Sequence, residues 1–279
     1  MGGMENPLLT FVSPTIIVGD KSEVSVANHE IAHSWAGNYV TNMNWDNFWL
    51  NEGFTVFLER KLDSMISGSI FTKISSQNGN SSMYEAMLGW GLNNTFSSLT
   101  PRAGTQRDPY DAFSSVPYEK GYQFLLYLES LDGELKFKKF MQTYFKKWAY
   151  QSINVNDMRS TFELHLNEVW SSSKAKDIMK QIDWNTWLLT GGLPPVTANF
   201  TTQEAKNATA LADAYIANGG SASPSGYEKF PTWFSSLQQS FIYRLLENQS
   251  KVTIPILTKI DKDLNLSHMK NPAIRSLWD

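Results

Sequence analysis

Apolar residues Val24, Ala27, Ile31, Ala32, Trp35 and Ala36 recur at helical spacing and predict a helix over 22–39, with Ser22 as its N-cap. A polar turn at 42–47 leads into a second predicted helix, 48–66. Residues 8–18 are β-branched and apolar but broken by Pro14, which predicts one or two short strands. The Ser/Gly/Asn-rich stretch 67–84 reads as a loop, and 85–112 as irregular chain. Helical periodicity returns over 117–131, 134–149, 154–168 and 174–189. Gly191-Gly192-Leu193-Pro194-Pro195 is the sharpest break, a helix stop followed by a stiff extended segment. Beyond it, 201–218, 229–248, 251–261 and 272–278 predict short helices, which a stack of helix pairs would bury.

Composition narrows the class. The chain has 279 residues, 42% of them hydrophobic, enough for one large domain or two smaller ones. Its net charge of −3 and the absence of a dense Lys/Arg block argue against nucleic acid as a partner. Lys136, Lys138 and Lys139 sit at helical spacing and read as a solvated face. There is no cysteine, so disulfides, thiolate ligands and a thiol nucleophile are excluded. No signal-like segment and no apolar run of spanning length is present, which sets the expectation of a cytoplasmic protein without a membrane partner.

The chemistry is concentrated early. His29-Glu30-Ile31-Ala32-His33 fits H-E-x-x-H, and on a helix its two imidazoles fall on one face about a turn apart. Glu30 lies beside that face, placed to act on a water without ligating the metal itself. Two such histidines also occur by chance. Eighteen residues separate His33 from Glu52, however, and Glu52 stands among Trp49, Leu50 and Phe54 on the second predicted helix. Antiparallel packing of the two helices would return it to the histidines, and a buried carboxylate needs a partner. His29, His33 and Glu52 are therefore the expected ligands of one Zn2+ per chain.

At these residues the chain resembles the aminopeptidase N / leukotriene A(4) hydrolase family of zinc peptidases, the gluzincins. Gly2-Gly3-Met4-Glu5-Asn6 is similar to the family's G-x-M-E-N signature. The string HSWAGNYVTNMNWDNFWLNEGFTVFLER, the segment SSVPYEKG at 114–121, and the Asp183–Trp187 and Gly192–Pro195 stretches resemble the leukotriene A(4) hydrolase branch. The resemblance implies a mainly α fold: a thermolysin-like catalytic domain over 1–192, a linker at 193–200, and an all-helical, HEAT/armadillo-like domain over 201–279. It also implies that Glu5 binds the free amino group of a peptide substrate, with Gly2, Gly3 and Met4 alongside. Glu30 would be the general base, and Tyr118 would donate to the oxyanion.

The departures shape the expectation. Where the epoxide-hydrolysing members carry a Tyr five residues before the donor tyrosine, this chain has Phe113. Where they carry an Asp eight residues before it, this chain has Tyr110, with Asp111 adjacent. Epoxide hydrolysis is therefore not expected. The resemblance further implies that the family's N-terminal β-rich domain and thermolysin-like strands are missing and the helical domain is shortened, which would leave a large apolar surface exposed. Three readings follow: a zinc aminopeptidase, a thermolysin-type endopeptidase, which the anchor at Glu5 argues against, and a non-catalytic zinc-binding module.

Overall fold

A computed structural model describes residues 2–19, 21–102, 108, 110 and 113–279. The fold is mainly helical, as expected. The pair β1 (Gly3–Met4) and β2 (Phe11–Val12) is antiparallel, with Gly3 opposite Val12. Helix α1 (Val24–Ala32) follows, then β3 (Val40–Asn42), α2 (Trp49–Ser67), α3 (Ser69–Trp90), α4 (Ser115–Asp132) and α5 (Glu134–Lys147). Strand β4 (Gln151–Ile153) pairs in parallel with β3, Val40 opposite Gln151. The remaining helices are α6 (Val155–Val169), α7 (Ser172–Gln181), α8 (Trp184–Leu189), α9 (Gln203–Ala217), α10 (Ser235–Glu247), α11 (Ile254–Leu264) and α12 (Pro272–Trp278).

Several local expectations are corrected. The first helix begins after Glu23 and stops at Ala32, and Ser22 does not cap it: the Ser22 hydroxyl accepts from Asn271 Nδ2 instead (2.9 Å). In 8–18 only Phe11–Val12 is strand, followed by a 3-10 turn at Pro14–Ile16. The expected helix 174–189 is two helices, because Asp183 caps a fresh start by accepting from the Thr186 amide (3.0 Å). A 3-10 turn, Tyr227–Thr232, precedes α10.

The largest correction is α3, where a loop was expected. Its buried side chains are few and only three are apolar (Ile74, Met83 and Met87, beside Ser76 and Asn78), so no continuous apolar stripe marks it in the sequence. Close tertiary packing holds it helical despite its weak propensity. A Cβ on Gly79 would overlap the Glu119 carboxylate of α4, so the small residue there lets the two helices approach. On its other side, Asn78 donates to the Ser236 carbonyl (2.7 Å) and accepts from the Ser240 hydroxyl (2.8 Å), tying α3 to α10.

Among the described residues the apolar side chains form two large clusters and a small one, Met83, Met87 and Val116, between α3 and α4. One large cluster runs from Ala36 to Leu188 and centres on Trp49, Phe54, Phe124, Phe140 and Trp187; the other gathers α9 to α12 with Ile74 of α3. Lys120, fully buried in α4, locks the break after α8 in place. Its ammonium donates to the carbonyls of Ser97 (2.9 Å), Thr190 (3.2 Å) and Gly192 (2.9 Å). Apolar surface is also exposed: Leu8, Leu9, Phe11, Ile31, Trp35 and Met65 face outward, and Trp35 and Met65 border an open apolar groove between α1, α2 and α5. No helix among the described residues is long and apolar enough to cross a membrane.

Candidate active site

Helix α1 carries His29 and Glu30, and His33 caps its end, so the two imidazoles stand one turn apart. Helix α2 brings Glu52 to them on its first turn. His29 Nε2 lies 3.1 Å from His33 Nε2, and Glu52 Oε2 lies 3.4 and 3.3 Å from them. A tetrahedral zinc with N and O ligands at about 2.0–2.2 Å separates its ligand atoms by roughly 3.3–3.5 Å. The triangle is therefore of the size that one such ion spans. His33 is 1% and Glu52 5% exposed, and Glu52 Oε2 has no hydrogen-bond partner.

The outer nitrogens fix the tautomers. His33 Nδ1 is 2.7 Å from the Ala36 carbonyl, which can only accept, so Nδ1 carries the proton. His29 Nδ1 is paired in the same way with the Glu59 carboxylate (2.9 Å). Both Nε2 lone pairs then point at each other and at Glu52, an arrangement that calls for a cation between them. A proton is the simplest such cation. Burial opposes charge on the His29 ring, but the hydrogen bonds and charges of Glu52 and Glu59 outweigh it and raise its pKa to about 10. Burial also works against ionisation of Glu52, and the two histidines overcome it to hold the carboxyl at about 2.

Glu30 is buried beside the triad with Oε2 unpartnered. Burial, followed in weight by the opposing pull of His29 and His33 and the repulsion of Glu5 and Glu52, raises its pKa. A carboxylate held above its usual range is better matched to taking a proton near neutral pH. The β1–β2 pair lies against it, and a Cβ on Gly3 would overlap the Glu30 carboxylate, so a larger residue there would have to displace that side chain. Beyond β1, Glu5 Oε1 stands 3.9 Å from His33 Nδ1, and Asn38 Nδ2 donates to the Glu5 carbonyl (2.7 Å). Gly2, Gly3 and Glu5 line the same cavity of about 440 Å³ as His29, Glu30, His33, Glu52 and Tyr118. Met4 does not: it is half-exposed and lies outside the cavity wall.

Tyr118, in the first turn of α4, lies nearly parallel to the His29 ring with centroids 6.0 Å apart. Burial, then the charge of Glu52 and a hydrogen bond to it, raises the phenol pKa far above its ordinary value. It is held as a donor. Phe113 stands beside Tyr118 and Phe48 on the rim, and Tyr110 is exposed and off the cavity. Asp111 lies outside the described residues.

The structure brings Gly2, Gly3, Glu5, His29, Glu30, His33, Glu52 and Tyr118 to one cavity and adds supports that the sequence did not single out. Glu59 lies seven residues after Glu52, two turns along one face of α2, and that spacing was its available signal. Thr55 backs His33, its hydroxyl 3.1 Å from Nδ1 and 3.0 Å from the Ala36 carbonyl it donates to. Arg60 grips Glu119 with two bonds (2.7 and 2.8 Å) and lies over Tyr122. Nothing local in the sequence marks that pair.

Residues 1–187 match the peptidase family M1 domain. The chain is 37% identical over 277 residues to a leukotriene A-4 hydrolase homolog of Botryotinia fuckeliana, covering 99% of this chain and 42% of that protein. It is 41% identical over 250 residues to leucine aminopeptidase 2-2 of Meyerozyma guilliermondii, covering 82% and 38%. In structure it resembles yeast leukotriene A4 hydrolase in complex with bestatin, with a TM-score of 0.87 at 31% identity, covering 99% of this chain and 46% of that one. The fold is also shared with an M1 zinc metallopeptidase of Deinococcus radiodurans (TM-score 0.52, 19% identity, 71% and 39% covered). The chain thus spans less than half the length of these relatives.

Proposed function

The chain belongs to peptidase family M1, and from that membership we propose that it is a zinc aminopeptidase that removes N-terminal residues from short peptides. The observation that carries this reading is the placement of Glu5 beside a closed His29–His33–Glu52 triangle. In this reading His29, His33 and Glu52 hold one zinc ion, which supplies Lewis-acid chemistry when bound, acidifying water and polarising a carbonyl. Glu59 and the Ala36 carbonyl keep the imidazoles turned toward it.

The chain's own groups then divide the work. Glu5 pairs with the substrate's ammonium and sets the distance from the chain end to the scissile bond, with the backbone of Gly2 and Gly3 alongside. Glu30 takes a proton from the attacking water and passes it to the departing amine as the C–N bond breaks. Tyr118 donates a hydrogen bond to the carbonyl oxygen as negative charge gathers on it. Removal of a single end residue, and not internal cleavage, follows from the fixed ammonium site. We assign this chemistry to residues 1–192, with 193–200 as the link to the helical part 201–279.

The test compares a short peptide with its N-acetylated form on the zinc-loaded chain. Release of the first residue from the free peptide alone supports the reading. Cleavage of both at similar rates indicates an endopeptidase, and cleavage of neither a zinc-binding module without this activity.

A further inference from the structure

A second cavity of about 300 Å³ opens from the site. It shares Ser25, His29, Glu59 and Tyr118 with the first cavity, and its far wall belongs to α3 and α10. The direction matters. Glu5 stands on the His33 side of the triangle, and Glu59 on the His29 side. A peptide whose ammonium meets Glu5 and whose first carbonyl lies at the triangle therefore continues past His29, into the second cavity.

The walls there are polar without being charged toward a ligand. The opposite charges of Arg60 and Glu119 meet in two short bonds, Glu59 is held by His29, and Glu23 accepts from Asn271. Helix α10 adds hydrogen-bonding groups to the wall, Gln239 and Tyr243 among them. The Ser236 hydroxyl, on a residue 8% exposed, has no partner. Among the described residues, none donates to or accepts from the half-buried Gln239 amide or the Tyr243 hydroxyl, and both line the cavity. Sheltered polar groups without protein partners favour a ligand that can bond them and disfavour one that cannot.

We propose that Gln239 and Tyr243 form the subsite for the substrate's second residue, and that it selects an uncharged hydrogen-bonding side chain (Ser, Thr, Asn or Gln) over an aliphatic one. This rests on the aminopeptidase reading for the direction of the peptide. It gives the helical part of the chain a role in specificity, since both residues come from α10 and all the catalytic groups come from α1, α2, α4 and the N-terminal segment.

The test is calorimetric binding to the zinc-loaded chain of tripeptide analogues whose first peptide bond is a hydroxyethylene isostere, with Asn, Gln or Leu in second place. The expected result is about tenfold tighter binding for Asn or Gln than for Leu. That ratio should narrow in Gln239→Leu and in Tyr243→Phe, while preference at the first residue is unchanged. Tyr243→Phe removes one oxygen and keeps the ring, so it remains informative if the glutamine variant folds poorly. Equal binding of Asn and Leu analogues by the unaltered chain, a change at the first residue instead of the second, or no binding of any analogue overturns the proposal. Hydrolysis of an aminoacyl-arylamide, which has no second residue, separates the two ideas. Arylamide hydrolysis with a flat second-residue profile rejects the subsite alone. The binding preference without hydrolysis rejects the peptidase reading alone.

Discussion

Gly53 of α2 and Gly121 of α4 meet where the two helices cross, so closely that a Cβ on Gly53 would lie 2.8 Å from the Gly121 Cα. Glu52 directly precedes one glycine, and Tyr118 lies three residues before the other, one turn back along α4. The crossing therefore sets how near the phenol comes to the carboxylate. Gly121→Ala should force the helices apart, lowering stability by about 1–3 kcal/mol and weakening zinc binding. Urea denaturation and a zinc titration measure the two effects. Unchanged values for both would show that the crossing has slack.

Glu59 pairs with His29 Nδ1 and leaves Nε2 facing His33 and Glu52, where the proposed zinc would bind. Glu59→Gln should retain the fold and still accept from the ring, but as a neutral partner it makes the imidazole a poorer ligand. Zinc affinity, read by competition with a chromogenic chelator, should fall about 10- to 100-fold.

Asp63 is buried near the end of α2, where one oxygen accepts from Asn28 (2.7 Å) and the other has no partner. Burial, only partly offset by Asn28, pushes its carboxyl up from 3.8 to about 6. A raised carboxyl favours folding while protonated. Its contribution is complete below pH 3.8 and is lost as pH rises through about 6. Asp63→Asn should therefore be more stable than the parent at pH 7.5, by up to about 2 kcal/mol, and the gap should shrink toward pH 5. Urea titrations of both chains at the two pH values check the sign.

Lys120 closes the segment after α8 through three carbonyls. Burial lowers its pKa to about 8, yet its hydrogen bonds remain the segment's link to α4. Lys120→Met leaves those carbonyls unpaired and should cost about 3 kcal/mol. It should also speed proteolytic cutting around 190–193. A cutting pattern unchanged from the parent would assign the anchoring elsewhere.

The clustering of His29, His33 and Glu52 was legible because one helical turn and one return helix suffice to gather them, and both leave a mark at fixed spacing. Glu5 and Tyr118 were different. Nothing in their neighbourhoods distinguishes a turn acid or a half-buried tyrosine, and only a family resemblance singled them out. Helix α3 was illegible for a physical reason: besides the sparse Ile74, Met83 and Met87, it is held by Gly79 against Glu119 and by Asn78 against α10, small and polar contacts that leave no continuous apolar period. The Gly53–Gly121 crossing was equally hidden, since two glycines 68 residues apart say nothing until the helices meet. Glu59 could have been found from its two-turn spacing to Glu52.

The central claim is that this chain holds zinc with His29, His33 and Glu52 and uses Glu30 to activate water. The most direct measurement is zinc stoichiometry together with the rate of aminoacyl-arylamide hydrolysis for the parent and for Glu30→Gln. One zinc per chain in both, with hydrolysis in the parent reduced at least about 100-fold in the variant, is the predicted result. Equal rates in the two proteins, or a parent that binds no zinc, would contradict it.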